Sequence, residues 1–67
     1  MKAVSGEEMC RALRRKGWTL VRVRGSHHRF EKPGHGAVTV LVHKGKTLRT
    51  GTQRGIMKDA GLTEDDL

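Results

Sequence analysis

Two adjacent histidines, His27 and His28, are the residues of this chain whose type and placement best suit proton transfer. They follow the turn signal Gly25-Ser26 and lead into an alternating run that contains Phe30. The unperturbed pKa of histidine is about 6.5, so an imidazole accepts and releases protons near neutral pH. A His-His pair on a protein surface can also be simply solvent-exposed, with no catalytic function. The rest of the sequence has to discriminate between a catalytic pair and an exposed pair without function.

The chain is strongly basic. Its 67 residues include 14 Lys and Arg against 7 Asp and Glu, which gives a formal net charge of +7. The cations are spread along the chain, whereas most acids lie near its ends, as Glu7-Glu8 and Glu64-Asp65-Asp66. Generic solubility is one explanation of this excess. A basic surface that also carries a proton-transfer residue indicates a polyanionic ligand, and RNA is the first candidate.

Length and composition predict one small domain, residues 1–67. Only 34% of the residues are hydrophobic, and a domain of this size buries only about 60% of its unfolded surface. Cys10 is the single cysteine, so an internal disulfide and a cysteine-based zinc site are excluded, and a cytoplasmic location is favoured. We expect Cys10 to be a small packing residue.

Neither a cofactor nor a membrane partner is expected. His27, His35 and His43 lack acids or cysteines at ligand spacing, which disfavours a metal site. No run approaches the roughly 20 apolar residues of a membrane span, and the first five residues lack the apolar stretch of a signal peptide.

The first predicted element is a helix with clear ends. Ser5 and Glu8 form an S-x-x-E capping box at its start. Gly17 is suited to a left-handed residue that ends the helix, with Trp18 packing back on the last turn.

Three strands and a second helix follow, which gives the order α-β-β-β-α. Thr50 or Thr52 caps the second helix, which runs to Ala60 and stops at Gly61. The strands are predicted at 18–24, 27–32 and 37–43 from the alternation of side chains and from β-branched residues. A short extra turn is predicted at 63–67.

The alternation of strand side chains predicts which residues meet. Val38, Val40 and Val42 form a core face that both helices cover, with Val21, Val23, His28 and Phe30 on the same side. The opposite, uncovered face then carries a histidine among guanidiniums, a suitable arrangement for phosphate. Its predicted members are Arg22, Arg24, His27, Arg29 and His43, and a bulge at Gly25 would change the first-strand assignments.

The other histidines have structural interpretations. We expect His28 to be a partly buried ring beside Phe30 with a local hydrogen bond, and His35 to be exposed in a glycine loop. His43 either caps a strand end or contributes to the site.

The chain resembles the HicA toxin family over nearly its whole length. The resemblance rests on Gly25-Ser26-His27-His28 and on the closing pattern Gly51-Thr52-x-x-x-Ile56-x-x-x-Ala60-Gly61-Leu62, in this order and at this length. It departs from the family at Leu41, where a proline is usual, at Arg29, often an apolar position, and at Gly55, where serine is commoner.

The resemblance implies an α+β fold like a double-stranded-RNA-binding domain, with a three-stranded antiparallel sheet and both helices on one face. It also implies the toxin of a type II toxin–antitoxin system, a ribosome-independent endoribonuclease that cleaves mRNA. The catalytic histidine implied is the first after Gly-Ser, which is His27 here, and a cognate HicB antitoxin covers the site.

These expectations assign a role to each candidate residue. His27 acts as general base or acid, and Gly25, Ser26, Arg22, Arg24, Arg29 and His43 bind RNA or stabilise charge. The second proton transfer falls to His43, His28 or water. Two alternatives stay open: a non-catalytic RNA-binding module of the same fold, and a protein-interaction module whose basic face docks an acidic partner.

Overall fold

The element order α-β-β-β-α is confirmed in a computed structural model that describes residues 2–67, so Met1 lies outside the described part. These residues form α1 (Gly6–Arg15), β1 (Thr19–Arg24), β2 (His27–Lys32), β3 (Gly36–Leu41), α2 (Thr50–Ala60) and a 3-10 turn, Glu64–Asp66. Within residues 2–67 the strands pair antiparallel in the order β1-β2-β3, with the helices on one face. This is the predicted α+β fold of the double-stranded-RNA-binding type. No helix in this part of the chain is long and apolar enough to cross a membrane.

Helix α1 has the predicted ends. The Glu8 amide donates to Ser5 Oγ at 3.1 Å, and the Ser5 amide donates to Glu8 Oε1 at 2.9 Å. Gly17 follows the helix with φ 91°, and the Trp18 amide donates to the Leu13 carbonyl at 3.0 Å. The capping box and the glycine stop thus place Trp18 in the core.

The predicted cap of α2 was wrong. Arg49 is the N-cap residue, Thr50 already lies in the helix, and among the described residues no side chain caps this end. The C-terminal end was predicted correctly: Gly61 has φ 70°, and the Leu62 amide donates to Met57 O at 2.8 Å. The short extra turn is also present.

The core lies between the helices and one face of the sheet. Val38 and Val40 of β3 are buried there as predicted, and Val42 packs against this core while remaining partly exposed. β3 ends at Leu41, so Val42 and His43 lie beyond the strand. Buried residues from α1, α2 and the flanking segments complete this core: Val4, Met9, Cys10, Ala12, Leu13, Trp18, Phe30, Ile56, Met57 and Leu62.

A β-bulge in β1 corrects the predicted placement of Val21. Leu20 pairs with Phe30 and Arg22 with Arg29, so Val21 is the extra residue between them and is 48% exposed. An extra residue reverses the alternation, which turns Leu20 towards the core in place of Val21. Val23 pairs with His28 on the helix side as predicted, but it is 53% exposed on this edge strand.

A buried glutamine holds the N-terminal segment, a feature that the sequence did not reveal. Gln53 is 1% exposed; its Oε1 accepts from the Val4 amide at 3.2 Å and its Nε2 donates to Lys2 O at 2.6 Å. The Val4 carbonyl in turn accepts from the Leu48 amide at 2.8 Å. Gln53 therefore links α2, the N-terminal segment and the loop that follows β3.

Candidate nucleic-acid interface

The face of the sheet away from the helices is called the open face here. Strand pairing places its residues in rows, because directly opposite residues share a face. Arg24, His27 and Leu41 form one row, and Arg22, Arg29 and Thr39 the next. A third row, Thr19, Glu31 and Ala37, completes the open face, with bulged Val21 beside it.

A shallow depression of about 200 Å³ lies at the centre of the predicted site. It is lined by Arg22, Arg24, His27, Arg29 and Thr39. The alternation argument thus identified four residues that the fold brings together. Alternation also places Thr39 on this face, but Thr39 was not predicted as a site residue, because its hydroxyl had no chemical signal in the sequence.

His27 is positioned by the turn between β1 and β2. Gly25 has φ 57°, a conformation that non-glycine residues rarely adopt, and Ser26 completes the two-residue connection. His27 is the first residue of β2 and is exposed. Its ring has no hydrogen-bond partner among residues 2–67, so both ring nitrogens are available to a ligand.

The guanidiniums beside His27 differ in their freedom. The guanidiniums of Arg22 and Arg24 form no hydrogen bond or ion pair with another described residue. Arg29 Nε lies 3.2 Å from Glu31 Oε2, and both side chains are partly exposed. Two guanidiniums thus have no partner within the described chain, and a third is paired with a carboxylate.

His43 lies at the end of the sheet, outside the depression around His27. Ser26 Oγ and His43 Nδ1 are 3.4 Å apart, and the Val42 amide donates to Ser26 O at 2.8 Å. His43 also lines a second depression of about 450 Å³ with Lys46 and Arg49. Ser26 is therefore the link between the turn before His27 and the segment that carries His43.

The remaining histidines lie elsewhere. His28 is half-buried on the helix side, paired with Val23 and Val40; the predicted local hydrogen bond is absent among residues 2–67 because apolar neighbours flank it. His35 is exposed as predicted and packs tilted against Trp18, with 6.3 Å between ring centroids. Among the described residues no cluster of three or more His, Cys, Asp or Glu side chains could hold a metal ion.

The perturbed ionisable groups have structural causes outside the open face. The Ser5 backbone N–H lowers the pKa of Glu8, and the Thr63 N–H lowers that of Asp66. Burial raises the pKa of the Cys10 thiol, which packs in the core as predicted. Glu8, Cys10 and Asp66 all lie outside the three rows of residues that form the open face.

Comparison with known proteins identifies a family for this chain. The sequence model of the HicA toxin of bacterial toxin-antitoxin systems matches residues 6–62, a span that contains every strand, α1 and α2. A comparison with curated proteins gives no match. Since the matched span is most of the chain, this protein belongs to the HicA toxin family and is the toxin of a toxin–antitoxin pair.

Proposed function

We propose that this toxin is a metal-independent, ribosome-independent endoribonuclease that cleaves mRNA through His27. The observation that carries the proposal is the position of His27, exposed on the open face with Arg22, Arg24 and Arg29 around the same depression. A proton-transfer group within a set of guanidiniums matches the two needs of phosphodiester cleavage, which are proton transfer and stabilisation of negative charge.

The reaction uses the nucleophile that RNA itself carries. The 2′-oxygen attacks the adjacent phosphorus, a P–O2′ bond forms and the P–O5′ bond breaks. His27 takes the 2′-hydroxyl proton or delivers one to the leaving 5′-oxygen. The guanidiniums stabilise the charge that develops on the phosphoryl oxygens. The products are a 2′,3′-cyclic phosphate and a 5′-hydroxyl.

The second proton transfer falls to His43 or to water. His28 is on the helix side of the sheet, so it is a poor candidate for a reaction on the open face. His43 is connected to the turn before His27 through Ser26, which places it near the end of the sheet where His27 lies.

The protein binds RNA mainly through electrostatic attraction. The sequence contains one Trp, one Phe and no Tyr, and Trp18 and Phe30 are both buried. Bases therefore do not stack on these two rings. Binding through phosphates predicts strong salt dependence and tolerance of most sequences.

The antitoxin partner is a cognate HicB protein that covers the open face. A toxin of a toxin–antitoxin pair needs an inhibitor, and a basic face with two unpaired guanidiniums favours an acidic covering surface.

The test is induction of this chain without antitoxin, with His27→Ala and the matched control His35→Ala. Growth and mRNA integrity are followed in cells, and purified proteins are assayed on RNA with and without EDTA. We expect wild type and His35→Ala to arrest growth and destroy mRNA. We expect His27→Ala to lose about 10²–10⁴-fold in cleavage rate while keeping its circular dichroism spectrum.

Two results would contradict this mechanism: products that carry only 5′-phosphates, or strict dependence on added Mg²⁺. Growth arrest that persists in His27→Ala would show that toxicity does not depend on this histidine.

A non-catalytic RNA-binding module is the second candidate. It is favoured by the His27 ring, which has no orienting partner among residues 2–67, whereas a general base is usually oriented by a neighbour. Such a module binds RNA with a salt-sensitive affinity and leaves it intact.

A further inference from the structure

A third depression, wider than the one around His27, lies on the open face at the end opposite to His27. Its volume is about 470 Å³, and its lining includes the apolar residues Val21, Pro33 and Ala37 and the charged residues Arg29, Glu31 and Lys32. Val21 is available there because the β1 bulge turns it away from the core, which leaves it 48% exposed. Val21, Pro33 and Ala37 give this depression an apolar part, and Arg29 lines both this depression and the one around His27.

Glu31 is the one acidic residue that the described strands contain. A carboxylate on a face that binds phosphates repels them, which is unfavourable unless the carboxylate also accepts hydrogen bonds from the ligand. Its Oε2 accepts from Arg29 Nε at 3.2 Å, and the side chain remains 49% exposed. A carboxylate has about four acceptor sites, and Oε1 has no partner among residues 2–67.

We propose that this depression holds one nucleobase of the RNA and that Glu31 reads guanine there. Guanine presents two adjacent donors, N1–H and N2–H, on its Watson–Crick edge, and a carboxylate accepts two parallel hydrogen bonds well. Adenine and cytosine offer an amino donor beside a ring acceptor, and uracil offers one donor between two carbonyls. The face of the base lies against Val21 and Ala37.

The position of Glu31 limits the distance between the base that it reads and the cleaved phosphate. His27 and Glu31 are four residues apart in β2, a distance of roughly 13 Å at about 3.3 Å per residue. The base that contacts Glu31 is therefore a near neighbour of the cleaved phosphate. Arg29, held by Glu31, lies between the two positions and meets the intervening phosphate.

This inference rests on the proposed function, because it assumes that RNA lies across the open face. Its test uses short single-stranded RNAs with one preferred cleavage site, in which each flanking position is varied through the four bases. Wild type is compared with Glu31→Gln, which keeps the size but loses the second acceptor. Asp59→Asn is the matched control, because Asp59 is an exposed acid of α2 and its substitution changes the net charge equally.

We expect wild type and Asp59→Asn to cleave RNA about tenfold faster with guanine than with uracil at one flanking position. For Glu31→Gln this preference falls to within about twofold. Absence of a base preference in wild type overturns the inference. An equal rate change with all four bases in Glu31→Gln also overturns it, because Glu31 would then act only by orienting Arg29.

The same RNAs are titrated with the His27→Ala chain, and binding is followed by fluorescence anisotropy. If wild type cleaves no RNA but His27→Ala binds the guanine RNA more tightly, the proposed nuclease fails and the base site stands. If cleavage occurs and neither measurement distinguishes the bases, the base site fails and the nuclease stands.

Discussion

The two faces of the sheet are built from the same strands but serve different purposes. On the helix side, Phe30 and Val40 are 0% exposed and contribute to the core. On the open face, their sequence neighbours Arg29 and Leu41 remain accessible. One residue of chain thus separates a side chain that stabilises the fold from one that is free to meet a ligand. Substitutions on the two faces should therefore affect different measurements.

The neighbouring pair Phe30 and Arg29 gives the largest expected contrast. Phe30→Ala leaves a cavity in the core and should lower the free energy of unfolding by about 3–5 kcal/mol, a large part of the stability of so small a domain. Arg29→Ala should change stability by less than about 0.5 kcal/mol, because its ion pair is exposed. It should slow RNA cleavage at least about tenfold.

Urea unfolding and cleavage rates on the same preparations test this contrast. A loss of stability in Arg29→Ala as large as that in Phe30→Ala would show that the open face also contributes to folding stability, contrary to this comparison. Full activity in Arg29→Ala would remove this guanidinium from the proposed site.

Gln53 extends the comparison to a buried polar residue on the helix side. Gln53→Leu keeps the volume but leaves the Val4 amide and the Lys2 carbonyl without their partner, which should cost about 1–3 kcal/mol. Hydrogen exchange should accelerate most at the amides of Val4 and Leu48. The exposed neighbour substitution Arg54→Leu is the control, and equal exchange at these amides in both variants would refute the role of Gln53.

The sequence predicted most of the fold because its signals are local. The capping box of Ser5 and Glu8, the glycine stops and the alternation of β3 each depend on residues close in the chain. The same alternation correctly placed Arg22, Arg24, His27 and Arg29 on one face. Their roles in chemistry stay a prediction, since they rest on the resemblance and on geometry.

The errors arose where distant parts of the chain decide local structure. The bulge at Val21 depends on pairing between β1 and β2, because Leu20 takes the position opposite Phe30. Gln53 lies on an otherwise ordinary helix, and its partners are about fifty residues away. β3 ends at Leu41, opposite His27, because β2 begins there and the turn of Gly25 and Ser26 precedes it. No pattern in the sequence predicts these contacts.

The smallest expected effect concerns acid pH and the α1 capping box. The Ser5 backbone N–H holds the pKa of Glu8 below its ordinary 4.5. Because the folded pKa is the lower one, the stabilisation by this carboxylate is fully present above about pH 4.5 and is lost as pH falls through the folded pKa. Asp66, whose pKa the Thr63 N–H lowers from 3.8, acts in the same direction. We therefore expect the melting temperature to fall between pH 5 and pH 3.

Ser5→Ala isolates the contribution of this cap. It should lower the free energy of unfolding by about 1 kcal/mol at neutral pH. The pH-dependent fall should become shallower, because a frayed first turn no longer presents the amide that lowers the pKa of Glu8. The cleavage rate at a temperature well below melting should stay unchanged, since Ser5 lies outside the open face. Thermal melts of wild type and Ser5→Ala at pH 7 and pH 3 test this expectation, and parallel pH dependences would show that the first turn does not fray when the Ser5 hydroxyl is lost.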